Sequence, residues 1–232
     1  QELEFDYEKS LRLDGLVARN GAVVYDLPFS NSEEGSIWQR MDLGSGSVAC
    51  IRADGMLARD GEAVAQYPIG TSKGKKRYYE DVLILPAPAI DGSTVLCLRS
   101  DGEIFGTDMD VPLVKLIGNQ PDDGDPPKCN SSDGDSTRRR WIRLGLDPST
   151  GDVFALRQDG RLNSFDPDDP VGSSAMTDGD CPPAGTLVRR LPFPKGGYRT
   201  RDLYRDLLME DDGGWIALRR DGRLYVPEED KA

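Results

Sequence analysis

Short runs with apolar residues two apart recur along the chain: Trp38-x-x-Met41-x-Leu43, Tyr79-x-x-Val82-x-Ile84, Trp141-x-x-Leu144-x-Leu146 and Tyr204-x-x-Leu207-x-Met209. Each is led by an aromatic residue, and a two-residue apolar period is what a strand with one buried face presents. Each run stands shortly before a second pattern, Leu/Ile-Arg-x-Asp-Gly-x-apolar. That pattern occurs at 11–17, 51–57, 98–104, 156–162 and 218–224. Asp-Gly suits a two-residue hairpin loop, because a type I′ turn needs positive φ at both central positions. Five such hairpins spread end to end predict one supersecondary unit repeated along a single domain, 1–232.

The unit reads as four strands. An aromatic-led strand is followed by a strand ending in Leu-Arg, the Asp-Gly turn (centred near 14–15, 54–55, 101–102, 159–160 and 221–222), a short third strand, and a final apolar strand. Ala63–Tyr67, Leu113–Ile117 and Leu187–Leu191 are examples of the last. The turns stand 40, 47, 58 and 62 residues apart, close to or above the ~40–50 residues of a four-stranded propeller blade. The growth comes from two loops, 119–138 and 166–185, rich in Asp, Gly, Pro and Ser and without periodicity. About nineteen strands can be counted where five blades need twenty. The alternating Leu3, Phe5 and Tyr7 are expected to supply the missing outer strand and close the ring, leaving no free edge.

The fivefold Leu-Arg-x-Asp-Gly-x-Leu pattern with an aromatic-led strand in each unit resembles β-propellers, and predicts an all-β, five-bladed propeller of four-stranded antiparallel blades. Chain length and blade count resemble the five-bladed tachylectin-type lectin propellers. The hairpin is similar to the Ala-Leu-x-x-Asp-Gly-x-Val segment of regulator-of-chromosome-condensation repeats, which form seven blades. The resemblance covers nearly the whole chain and is architectural. The sugar-contacting motifs of the first group and the Trp-Gly ending of the second are missing. It implies a binding role and assigns no site.

Composition narrows the function. A formal charge of −12 and a pI near 4.6 argue against nucleic-acid or anionic-membrane binding. No stretch approaches the ~20 apolar residues of a membrane span. The chain starts at Gln1 without a signal-like segment, so a removed targeting segment and an extracellular location are expected. There is no histidine, which removes Ser-His-Asp and Cys-His catalysis and the commonest transition-metal ligand.

Against this acidic background the basic clusters are informative. Lys73, Lys75, Lys76 and Arg77, then Arg138, Arg139 and Arg140, then Arg199 and Arg201 all precede an aromatic-led strand in successive units. They are expected to form a basic arc on one face, with Tyr79 and Trp141 beside it. Arg flanked by aromatics can hold acidic groups and stack on sugar rings. The alternative is that these charges flank strands and pair with surface carboxylates. The Arg-x-Asp pairs read as turn residues with a solvated Arg pairing locally, rather than as five binding pockets.

Cys50 and Cys97 occupy a slot that holds Ser10, Ala155 and Ala217 in the other copies, and so read as small packing residues. Cys129 and Cys181 lie one in each long loop, and a disulfide between them is expected for a secreted protein. Against the bond, the two loops should leave opposite faces of the ring. Asn130-Ser131-Ser132 is an N-glycosylation acceptor pattern. Asp122, Asp123 and Asp125, with Asp133 and Asp135, are calcium candidates, though none fits the EF-hand loop and such runs are also ordinary turns. No cofactor is otherwise expected.

These readings converge on a secreted, non-catalytic, lectin-like binding or assembly module that recognises an anionic glycan or an extracellular protein. The alternatives are a structural subunit of a coat or filament, and a glycoside hydrolase using a carboxylate pair.

Overall fold

The structure is a computed structural model that describes residues 9–11, 15–19, 22–28, 37–44, 46–72, 75–89, 92–107, 112–116, 140–169, 186–192 and 203–227. All regular elements among them are strands. The first sheet comprises β1 (Lys9–Leu11), β2 (Leu16–Arg19) and β3 (Ala22–Asp26). The second is an antiparallel meander of β4 (Trp38–Gly44), β5 (Ser47–Arg52), β6 (Met56–Arg59) and β7 (Glu62–Gln66). A two-stranded hairpin, β8 (Gly70–Ser72) and β9 (Lys75–Arg77), leads into the third sheet. That sheet is β10 (Tyr79–Ile84), β11 (Val95–Arg99), β12 (Glu103–Phe105) and β13 (Val114–Lys115). The fourth is β14 (Trp141–Leu146), β15 (Val153–Arg157), β16 (Arg161–Phe165) and β17 (Thr186–Arg190). The last is β18 (Tyr204–Met209), β19 (Trp215–Arg219) and β20 (Leu224–Tyr225).

The arrangement is that of a four-bladed propeller, and the expected closed five-bladed ring is overturned. Four sheets carry an aromatic-led innermost strand, and β4, β10, β14 and β18 pack side by side around the axis. The first sheet leans on β4 through β1 and has no innermost strand among the described residues. The four aromatic-led runs, not the five Asp-Gly turns, count the blades. No hydrogen-bonded pairing joins the first sheet to the last among the described residues, and the expected closing strand, residues 1–8, lies outside them. Burial agrees. β11 and β15 are buried at every position, being sandwiched between neighbouring blades, whereas β19 alternates between buried and half-buried residues. A sheet covered on one face only gives that alternation.

Successive blades are joined by one repeated clasp. The leading aromatic of a blade lies on the turn glycine of the blade before it: Trp38 on Gly15, Tyr79 on Gly55, Trp141 on Gly102 and Tyr204 on Gly160. In three of the four, the ring's polar tip donates to a proline carbonyl at the end of the preceding outer strand. Trp38 Nε1 reaches Pro28 O at 3.1 Å, Tyr79 Oη reaches Pro68 O at 3.2 Å, and Tyr204 Oη reaches Pro192 O at 3.0 Å. The aromatic's own backbone N–H donates to the residue between Arg and Asp of the preceding motif. Tyr79 N–Ala53 O is 2.9 Å, Trp141 N–Ser100 O 3.1 Å and Tyr204 N–Gln158 O 2.9 Å. The fifth turn glycine, Gly222, has nothing within 4 Å among the described residues.

Arg52, Arg99, Arg157 and Arg219 of the last four motifs are buried, which corrects the expectation that they are solvated, while the expected local pairing with Asp is present. Arg52 donates to Asp54 through Nε at 2.8 Å and Nη2 at 2.7 Å, and Arg157 reaches Asp159 with the same two-pronged geometry. The guanidiniums of Arg52 and Arg157 also lie over the rings of Trp38 and Trp141, at 5.9 and 5.6 Å. Arg52 and Arg99 extend a third bond to the proline carbonyls Pro28 O and Pro68 O, at 3.1 and 3.3 Å. A charge removed from water must be paired and hydrogen-bonded, and this geometry supplies both.

Cys50 and Cys97 are buried free thiols. Burial pushes Cys50 up to about 12 and raises Cys97 as well, so neither is a reactive thiolate. Against the expectation of a disulfide, the described residues hold none; the two cysteines named for it, Cys129 and Cys181, lie outside them.

Two substitutions test this packing. A Cβ at Gly102 (φ +93) would stand 2.7 Å from Trp141 Nε1 and 3.0 Å from Leu116 O, whereas one at Gly151 (φ +84) meets nothing. Both sites share the backbone strain, so chemical denaturation should show ~1 kcal/mol lost for Gly151→Ala and ~3 kcal/mol for Gly102→Ala. Equal losses would mean that the aromatic contact is unimportant. Asp54→Ala strands the buried guanidinium of Arg52 and should cost ~3 kcal/mol by the same measurement.

Candidate functional site

A cavity of about 520 Å³ lies on the axis where the innermost strands begin. Its walls come from the residues that follow each leading aromatic, and from the variable residue between Arg and Asp of the motif. The first group supplies Gln39 and Arg40 of β4, Glu80 of β10, Ile142 and Arg143 of β14, and Arg205 of β18. The second supplies Gln158 and Arg220. Four arginines and one carboxylate thus line one cavity in a chain of net charge −12.

The arginines are not spent on internal pairing to the same degree. Arg143 is fixed, with Nε donating to Asp206 Oδ1 at 2.6 Å and Nη1 to Ile142 O at 2.7 Å. Arg40, Arg205 and Arg220 make no ion pair among the described residues. Glu80, the one acid of the wall, is neutralised by an ion pair from Arg140 Nη2. Burial lowers the pKa of Arg140, and repulsion from Arg220 and Arg77 lowers it further. Of these three cations Arg220 lines the cavity, and Arg140 is tied to it through Glu80.

On their axial edge the innermost strands pair with no other strand among the described residues, and carboxylates reach across instead. Ile84 N donates to Asp42 Oδ2 at 2.6 Å and Leu144 N to Asp81 Oδ2 at 2.7 Å, each bond crossing to the next blade. Burial pushes Asp81 up to about 8; Leu144 N–H and Arg40 act against that rise, and Asp42 adds to it. Burial also raises Asp42.

The basic residues singled out from sequence fall into three groups. Arg140 pairs with Glu80 of the cavity wall, and Arg77 is buried and near enough to Arg140 to repel it. Lys75 and Lys76 sit on β9, where the Lys76 side chain is exposed. Lys73, Arg138, Arg139, Arg199 and Arg201 lie outside the described residues, as do Asn130, Asp122, Asp123, Asp125, Asp133 and Asp135. Tyr79 and Trp141 are fully buried in the clasps between blades and do not flank a ligand surface. Sequence reasoning missed Arg40, Arg143, Arg205 and Arg220. The available signal was the contrast between copies: the motif is fixed while Ala53, Ser100, Gln158 and Arg220 differ in its variable slot.

Among the described residues no group of three His, Cys, Asp or Glu side chains is placed to hold a metal ion, and no helix is long and apolar enough to cross a membrane. No family model and no curated protein matches the chain. Among solved structures, the WD40 β-propeller domain of Doa1 is similar with a TM-score of 0.57 at 12% identity, over 96% of this chain and 60% of that one. The computationally designed Ika8 protein is similar with a TM-score of 0.50 at 15% identity, over 97% of this chain and 56% of that one. This chain therefore spans less than two thirds of either structure. At such identities the likeness shows the fold alone, a β-propeller scaffold. The expected tachylectin-type, carbohydrate-binding identity is corrected, since the matches are to WD40 and designed propellers.

The buried carboxyl yields a pH test. In the unfolded chain an Asp releases its proton near ~3.9, whereas folded Asp81 holds it up to about 8. The folded state therefore binds the extra proton between those values, and stability contributed by this group falls as pH rises through that window and levels off above it. Asp81→Asn removes the linkage. Its melting temperature relative to the parent should climb from about pH 5 to about pH 8.5; a constant difference would show that Asp81 does not titrate in that window.

Proposed function

We propose that this propeller is a non-catalytic interaction scaffold that binds an acidic segment of a partner protein at the axial arginine cavity. One observation carries the reading: Arg40, Arg205 and Arg220 converge on one cavity without an ion pair among the described residues, in a chain with 41 acidic side chains. A strongly acidic protein has carboxylates to spare for neutralising surface arginines. Leaving three of them open on one concavity favours a ligand that supplies the negative charge. The net charge of the chain does not prevent this, because at physiological salt charges are screened beyond ~8 Å.

The carboxylates near the axis favour binding over hydrolysis. Glu80 is held by Arg140, and Asp42 and Asp81 each accept a backbone N–H of the next blade. None of the three is left with the freedom that a pair of glycosidase carboxylates needs on either side of a scissile bond. The extracellular location expected from sequence remains part of the proposal and bears on which partner is met.

Fluorescence anisotropy with a labelled hexaglutamate peptide tests the reading. The parent protein should bind, and its affinity should fall as salt rises. Arg205→Glu combined with Arg220→Glu should weaken binding at least about tenfold, while Lys76→Glu, on the neighbouring hairpin, should weaken it less than about threefold. Both side chains of the double variant are exposed, so its melting temperature should stay near that of the parent. Equal peptide affinity in the parent and the double variant would remove the cavity as the site.

A further inference from the structure

We propose that the axial cavity is a phosphomonoester site, and that the partner segment it takes carries a phosphorylated side chain; this rests on the reading of the cavity as an anion-binding site. The argument begins with charge. Glu80 is compensated by Arg140, and Arg143 is paired with Asp206. Arg40, Arg205 and Arg220 remain, three positive charges without an ion pair among the described residues. A single carboxylate brings one negative charge and leaves most of that excess unopposed. A phosphomonoester brings about −1.5 to −2 at neutral pH, with three acceptor oxygens on one atom.

Geometry points the same way. The arginines come from separate elements, β4, β14, β18 and the turn after β19, so they approach one space from several directions. A tetrahedral oxyanion accepts bonds from several directions at once, whereas a planar carboxylate accepts mainly within its plane. Arg143 is anchored on two of its nitrogens before any ligand arrives, at 2.6 Å to Asp206 and 2.7 Å to Ile142 O. A fixed fork loses less freedom on binding than a mobile one. Gln39 and Gln158 add neutral amide donors to the same wall.

The space is large enough for more than the phosphate. A cavity of about 520 Å³ falls in the range that encloses a drug-sized ligand, so a phosphorylated side chain and adjoining backbone fit within it. Beside the wall, Arg140 is held by its ion pair with Glu80. Acidic residues flanking the phosphorylated one would meet the arginines of the wall that the phosphate does not engage.

Isothermal titration of the full chain with three probes tests the proposal. They are a peptide with one phosphoserine among Glu and Ala residues, the same peptide with Glu in place of phosphoserine, and inorganic phosphate. The phosphoserine peptide should bind at least about tenfold more tightly than the Glu peptide, and inorganic phosphate should compete only at far higher concentration. Arg205→Gln with Arg220→Gln should remove that preference without changing the melting temperature. Equal affinity for both peptides would overturn the phosphate assignment and leave the acidic-segment reading standing. Inorganic phosphate binding as tightly as the phosphopeptide would overturn the peptide assignment in favour of a free phosphate. Binding of none of the three would overturn both readings.

Discussion

Each aromatic ring that opens an innermost strand must pack against the turn of the unit before it, and the rest of the architecture follows from that contact. The ring and the turn backbone approach so closely that the turn residue has no room for a Cβ: one added at Gly55 would stand 2.6 Å from Tyr67 O and 2.9 Å from Tyr79 Cε2. The same turn needs positive φ, which glycine adopts at no steric cost. Two requirements thus fall on one position. The polar tip of the ring then reaches the proline carbonyl of the preceding outer strand, so the contact also sets how far one blade rotates from the next.

The buried Arg-Asp pair belongs to the same device. Its guanidinium lies against an aromatic ring of its own blade, grips the Asp of its own turn, and in two blades reaches back to the proline carbonyl of the previous one. A buried ion pair of this kind adds little net stability over a well-packed apolar group, but it penalises every arrangement in which the partners separate. It therefore favours one docking geometry between blades.

With turn, ring and Arg-Asp pair committed to holding blades together, the positions free to carry function are the ones pointing at the axis. The slots after each aromatic hold Gln39-Arg40, Glu80-Asp81, Ile142-Arg143 and Arg205-Asp206. Asp81 and Asp206 in these slots, with Asp42 two residues beyond Arg40, tie neighbouring innermost strands together, and arginines line the cavity. A single site can be strongly cationic inside a strongly acidic chain because only nearby charges are felt through the low-dielectric wall, while distant ones are screened by salt.

The sequence by itself determined the strands and turns, because a two-residue apolar period and Asp-Gly pairs are local signals that need no distant partner. It also contained the blade count, in four aromatic-led runs, although the five turns suggested one more. Only the tertiary structure decided that the aromatics Tyr79 and Trp141 are buried between blades, that Arg52, Arg99, Arg157 and Arg219 are withdrawn from water, and that the first unit has no innermost strand among the described residues. It alone brought Arg40, Arg143, Arg205 and Arg220 together, since they are separated by up to three blades in sequence and meet only around a common axis. A periodicity records which face of a strand is buried; which strands share an axis depends on how each blade docks on the next, and that is set by contacts between residues far apart in the chain.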